Sequence, residues 1–155
     1  MTVGSEQQRA VDLAYRALGQ RERTVFELRA YLERKRVEPD AIDLAVAELQ
    51  SAGFLDDARF AERFAADKRT LARWGSERIE RDLRRRGVPD DLIEAAASGQ
   101  GRPDELSAAL SLLAEKVPVP PADDRARDRA WRMLVRKGYE PELAYDAVRV
   151  HGRAA

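Results

Sequence analysis

The chain has 155 residues, and its 28 Lys plus Arg balance 28 Asp plus Glu, so it carries no formal net charge although 36% of its residues are charged. Hydrophobic residues reach 44% and the mean hydropathy is -0.57, which spreads the apolar positions thinly among charges and suits amphipathic helices. No apolar run approaches the ~20 residues needed to cross a bilayer, and Met1 to Gln8 lacks the basic-then-apolar order of a signal peptide, so a cytoplasmic protein without membrane contact is expected. The absence of cysteine excludes disulfides and thiolate metal sites, and the lone histidine, His151, leaves little for zinc; no metal and no cofactor are expected.

Apolar residues recur at helical spacing nearly everywhere and nothing alternates with period two, which predicts an all-α fold. The first helix is expected from about Ser5 to Leu18, with Val11, Tyr15 and Leu18 along its stripe. Thr24-Val25-Phe26-Glu27 has the order of a capping box and opens a second helix with Val25, Leu28 and Leu32 inward. Pro39 stands at the favoured first position of a third, whose Ile42, Val46 and Leu49 face the core before Gly53 stops it.

Asp56 is placed to cap a fourth helix carrying Phe60, Ala61 and Phe64 and persisting to about Trp74-Gly75. Ser76 opens a fifth, with Ile79 and Leu83 inward and Gly87 as its stop, and a sixth follows Pro89 with Leu92, Ile93 and Ala96. Ser98 to Gly101 reads as a flexible joint, and Pro103 to Lys116 as a seventh helix. The prolines of Val117 to Pro121 forbid its continuation. An eighth helix runs from about Asp124 to Gly138 and a ninth from Pro141 to His151.

Superposing the segments reveals a period of 51 residues. Leu32, Leu83 and Leu134 fall in register, as do Arg34, Arg85 and Arg136, then Lys35, Arg86 and Lys137, then Val37, Val88 and Tyr139, and finally Ala45, Ala96 and Ala147. The leucine suits a core position, and the basic pair complements the negative end of the helix dipole. Glycine at the third position of the turn supplies a left-handed residue in the last two copies, whereas the first copy places Arg36 there, so that turn takes another geometry or accepts strain. The expectation is about nine helices in three tandem three-helix repeats, residues 5–54, 55–99 and 102–151, stacked into an elongated, curved array.

Gly53-Phe54-Leu55-Asp56-Asp57-Ala58-Arg59-Phe60-Ala61 resembles the signature of RecX proteins, and Trp74-Gly75, Ile79, Leu83 and Arg84-Arg85-Arg86-Gly87-Val88 continue it at the expected spacing. The likeness covers about Ala10 to Val148, is strongest in the central repeat and weakest in the third, where the proline-rich Val117 to Pro121 segment departs from a more basic, aromatic stretch. What the resemblance implies is a regulator without catalysis or cofactor, and a monomer is the separate expectation for its state. Such a protein binds the RecA recombinase filament on single-stranded DNA, lies in its groove and restrains growth, ATP hydrolysis, strand exchange and co-protease activity.

The residues agree with a non-enzyme. There is no phosphate-binding glycine loop, no His-Glu-any-any-His and no Gly-any-Ser-any-Gly turn. Asp56 and Asp57 read as a cap and a first-turn charge, Glu27 and Glu77 likewise as first-turn charges, and His151 as a solvated residue near the last carbonyls. No catalytic residue and no metal ligand are assigned.

For partner binding the candidates are basic. From Arg59 to Val88 there are ten Lys or Arg against five Asp or Glu. On the fifth helix Arg78, Arg81 and Arg85 fall in one sector, away from Ile79 and Leu83. Arg69 and Arg73, four residues apart, extend the patch, with Trp74 beside them as an aromatic anchor; Arg and Trp are the types enriched in interface hot spots. The expected target is acidic surface in the RecA groove or the filament's DNA phosphates. Read more plainly, the same arginines form a solvated face and Trp74 belongs to the core. Two other classes fit the pattern: a helical DNA-binding protein acting directly on nucleic acid, against which zero net charge stands, and a general helical-repeat interaction scaffold.

Overall fold

In the computed structural model, which describes residues 3–97 and 101–153, every regular element is a helix. Among the described residues there are nine helices and no strand: α1 (Val3–Gln20), α2 (Val25–Arg34), α3 (Pro39–Ser51), α4 (Asp57–Thr70), α5 (Ser76–Arg85), α6 (Asp90–Ala97), α7 (Arg102–Lys116), α8 (Asp124–Lys137) and α9 (Pro141–Arg153). No helix among them is long and apolar enough to cross a membrane. Of the joint expected over Ser98 to Gly101, residues 98–100 lie outside the described residues. Contacts divide the chain into two compact units, the first running up to Ala61 and including Leu83–Leu92, the second comprising Glu62–Asp82 and the residues from Ile93 onward.

In the first unit α1, α2 and α3 pack on one another. The fully buried Ala10, Ala14 and Ala17 form a small-residue stripe at helical spacing on α1, and Leu28, Leu32, Ile42, Val46 and Leu49 fill the core beside it. Tyr15, expected on the inward stripe, is 41% exposed and meets Phe54 edge to face, because the alanines rather than the larger residues take the contact side of α1. Val25 is half-buried beside the same core.

The capping box forms as expected. The Thr24 hydroxyl accepts from the Glu27 amide and the Glu27 carboxylate accepts from the Thr24 amide. Asp56 likewise accepts from the Arg59 amide at 3.0 Å, at the start of α4.

The period of 51 has a structural counterpart in three turns of one hydrogen-bond pattern. Val37, Val88 and Tyr139 each donate at 3.1 Å to the carbonyl five residues back, on Leu32, Leu83 and Leu134. Arg36, Gly87 and Gly138 donate to the carbonyls of Glu33, Arg84 and Val135, giving the paired bonds of a Schellman turn. Gly87 and Gly138 have φ of 82° and 103°, and Arg36 adopts φ 60°, so the first turn keeps the geometry and accepts the strain of a side chain there.

Two of these turns dock on the N-terminus of an earlier helix. In the first unit the buried Thr24 hydroxyl donates to the Arg86 carbonyl at 2.7 Å, and Asp57 accepts from the Val25 amide. The Arg86 guanidinium reaches both carboxylate oxygens of Glu27, at 2.9 and 3.1 Å, and lies over the Phe60 ring. In the second unit, Gly75 donates to the Lys137 carbonyl at 2.8 Å and Glu77 to that of Gly138 at 3.0 Å. Thr24 and Gly75 are 51 residues apart, as are Arg86 and Lys137, so the two joints are one device used twice.

Close contact at the joints explains the glycines. A Cβ on Gly87 would fall on the Phe26 side chain, and one on Gly138 on Arg78. A Cβ on Gly75 would come within 2.5 Å of the Gly138 carbonyl group.

The second unit's core gathers Ala109, Leu112 and Leu113 of α7, Ala130 and Leu134 of α8, and Leu143, Ala144, Ala147 and Val148 of α9 around the buried Tyr139. The Tyr139 hydroxyl donates to the Arg73 carbonyl, and burial, with Glu105 adding to it, pushes its pKa up to about 12. His151 corrects the reading of a solvated residue: it is buried, with Nε2 2.7 Å from the Val117 carbonyl, because α9 continues to Arg153 and packs this position against the start of the proline-rich segment. The fourth helix also ends earlier than the sequence suggests, at Thr70. Arg73 turns left-handed at φ 60° and Trp74 donates to the Lys68 carbonyl, closing the helix before Trp74.

Glu27 gives a pH signature. Burial alone would raise its pKa, but the bonds from Arg86 and the Thr24 amide outweigh it and hold the carboxyl below the ordinary value of 4.5. A lowered folded pKa means stability that is present above 4.5 and lost as pH falls through the folded value. Glu27→Gln should cost about 1–2 kcal/mol at pH 7. In urea titrations at a series of pH values, the gap between variant and parent should shrink below the carboxylate range.

Candidate functional site

The six basic and aromatic candidates do not form one open patch. Arg69, near the end of α4, places its NH2 group 3.5 Å from the Ala97 carbonyl, and its Nε is buried without a hydrogen-bond partner among the described residues. Arg73 is turned onto α7, where it pairs with Glu115 at 2.6 Å and donates to the Ser111 hydroxyl at 3.0 Å. Its left-handed backbone sets this direction, carrying the side chain off the axis of α4.

Trp74 is half-buried between two cations. Arg78 lies 4.0 Å and the Lys68 ammonium 4.7 Å from its ring centroid, and the Phe64 ring meets it edge to face at 6.3 Å. Partly desolvated cation–π contacts of this kind contribute about 0.5–2 kcal/mol each. Arg78 also donates to the Arg136 carbonyl at 3.2 Å. Its aliphatic stem lies where Gly138 leaves room, so Arg78 is committed to packing inside the second unit.

Arg81 and Arg85 are both exposed, one turn apart on α5. The structure therefore gathers Trp74 and Arg78 around one stack, sends Arg73 to α7 and Arg69 to the end of α6, and leaves Arg81 and Arg85 on the solvent side.

Three other residues belong to this region, and the sequence reading did not single them out. Lys68 stands four residues after Phe64, a cation–aromatic spacing that was readable in advance. Glu105 is buried on α7 and takes the place of a local cap for α5: its carboxylate accepts from the Ser76 amide at 2.6 Å and from the Ser76 hydroxyl at 3.1 Å. Glu115 balances Arg73. Nothing in the spacing links residues 29 and 42 positions apart, so these two were not legible.

Elsewhere in the second unit, α8 and α9 bound an open groove of about 720 Å³ lined by Pro121, Trp131, Tyr145, Val148 and flanking arginines. The Trp131 ring N–H donates to the Pro141 carbonyl, and Tyr145 is 64% exposed. Arg127 and Arg149 are matched there by Asp124 and Asp146, leaving no strong field of either sign. No group of three or more metal-ligating side chains occurs among the described residues.

Two RecX family models match the chain: that of the first three-helix domain over residues 10–49 and that of the second three-helix domain over residues 56–96. The regulatory protein RecX of Deinococcus radiodurans is 34% identical over 93% of this chain and 70% of its own length. That of Mycolicibacterium vanbaalenii is 36% identical over 95% of this chain and 83% of its own. Among solved structures, RecX from Lactobacillus salivarius superposes with a TM-score of 0.85 at 17% identity, covering 99% of this chain and 100% of that one, a likeness of fold.

The division of labour among these residues predicts unequal stability effects. Trp74→Ala should lower the unfolding free energy by about 2–4 kcal/mol, through loss of the stack and a large-to-small cavity. Arg81→Glu should change it by less than about 0.5 kcal/mol, as exposed charges do. Chemical denaturation of both variants checks the difference.

Proposed function

The chain belongs to the RecX family of regulatory proteins, and on that premise we propose that it binds the RecA recombinase filament on single-stranded DNA and restrains its extension, ATPase, strand exchange and co-protease activity. In this reading the protein works in the cytoplasm by occupancy, as a monomer, and modulates recombination and repair without transforming a substrate. Residues 5–54, 55–99 and 102–151 act in it as successive three-helix modules.

The observation that carries the reading is the arginine-rich exposed side of α5 within the segment that matches the second three-helix domain. Arg81 and Arg85 supply the contact, either with acidic protein surface or with the filament's phosphates, both of which suit the planar fork of arginine. Trp74, stacked between Lys68 and Arg78, holds the start of α5 and so orients these two side chains. Arg69, Arg73 and Arg78 support the surface from beneath through their bonds to Ala97, Glu115 and Arg136.

A RecA ATPase assay dependent on single-stranded DNA tests the proposal. Substoichiometric amounts of the parent chain should reduce hydrolysis, and the double variant Arg81→Glu/Arg85→Glu should need about tenfold more protein for the same effect, a change of about 1.4 kcal/mol. Its helicity by circular dichroism should match the parent. Full inhibition by the double variant would remove α5 from the contact, and inhibition by neither chain would remove the partner. Tight, salt-sensitive binding to naked DNA without RecA would favour direct action on nucleic acid.

A further inference from the structure

The groove between α8 and α9 is lined by aromatic and aliphatic side chains, and most of its polar rim is already paired. Trp131 and Tyr145 stand at its middle, where the main hollow of about 720 Å³ meets a smaller one of about 450 Å³ bounded by Pro141, Glu142 and Asp146. Val148 adds to the apolar lining. On the rim Arg127 pairs with Asp124 and Arg132 with Asp128, while Asp146 receives Arg102 at 2.7 Å and Arg149 at 3.3 Å. The Trp131 ring N–H is taken by the Pro141 carbonyl at 3.0 Å.

Those commitments select the occupant. An extended or polyproline segment brings backbone groups that need partners on the surface, and the indole N–H, the natural donor of an aromatic groove, is already used. A nucleic-acid strand needs a positive field, which matched ion pairs do not give. An α-helix carries its backbone groups bonded within itself and asks only for an apolar trough of its own length.

The two ends of the groove differ in sign. Glu142 and Arg153 are both exposed, eleven residues apart on α9, which sets them on one face about 16 Å apart along the axis. Among the described residues neither takes part in an ion pair. We propose that this groove docks an amphipathic α-helix of a partner protein, about three turns long, with apolar residues at i, i+4 and i+7 against Trp131, Tyr145 and Val148, a basic residue beside Glu142 and an acidic one beside Arg153. Tyr145 is the anchor, an exposed aromatic ring that docking covers. The inference does not rest on RecA as the partner, and it uses a different pair of helices from the arginines of α5.

Fluorescence anisotropy with a labelled synthetic helix tests this on the full chain. The probe is an alanine-based peptide of about 15 residues, held helical by a lactam bridge on its outer side, with leucines at i, i+4 and i+7, lysine at one end and glutamate at the other. The parent should bind it, and Tyr145→Ala should weaken binding about tenfold with helicity by circular dichroism unchanged. A probe with serine for the three leucines should not bind, nor should a proline-rich peptide of the same length.

The signs of the two ends give the sharper readout. The parent should favour the lysine–glutamate probe about threefold over probes ending in two lysines or in two glutamates. Arg153→Glu should move that preference to the two-lysine probe and Glu142→Lys to the two-glutamate probe. Both positions are exposed, so these variants decide even if Tyr145→Ala fails to fold. A parent that does not bind the probe overturns the proposal, as does equal binding of the serine version or a preference that ignores the charge substitutions. Displacement of the probe by single-stranded oligothymidine would assign the groove to nucleic acid and overturn it as well.

Discussion

A helix ends with carbonyls that lack donors and begins with amides that lack acceptors, and this protein brings one kind of end to the other. The turn after α5 meets the start of α2 through Arg86 and Thr24, and the turn after α8 meets the start of α5 through Lys137 and Gly75. Each meeting satisfies groups on both sides that would cost about 1–3 kcal/mol apiece if buried alone. The turn residue is glycine at both docked turns, where a Cβ would fall on Phe26 or on Arg78. Side chains then adapt to the joint: a carboxylate, a guanidinium and an aromatic ring in the first unit, and a buried carboxylate from α7 in the second.

The same economy shapes the basic surface. Arginine joins a long apolar stem to a fork of donors, so one residue type serves both as packing and as contact. Arg78 lies across an indole and bonds a carbonyl, Arg73 closes an ion pair on α7, and Arg86 spans a joint. Part of the sequence cluster of arginines is therefore committed to packing. The stack of Lys68, Trp74 and Arg78 braces the start of α5.

Local chemistry was readable wherever the physics is local. The capping box at Thr24, Pro39 at the start of α3, the Asp56 cap and the proline block after Val117 each depend on atoms a few residues apart, and each stands where the sequence puts it. Tyr15 was misplaced because periodicity marks an apolar stripe without saying which of its members the opposing helix has room for. The end of α4 was misplaced because no glycine marks the left-handed residue, which is Arg73. The basic pair at each turn was read as a complement to the helix dipole, yet its second member also reaches across a joint, Arg86 to Glu27 and Lys137 to the Ala72 carbonyl.

By itself the sequence determined the helices, their period of 51 residues and the turns that recur with it, because propensity, capping and apolar spacing act over one or two helical turns. Tertiary structure alone decided which arginines are spent inside, that Glu105 caps a helix 29 residues away, and that His151 is buried. Those outcomes depend on which surfaces meet across tens of residues, and the energy of a meeting between two distant groups leaves no pattern in the spacing of either.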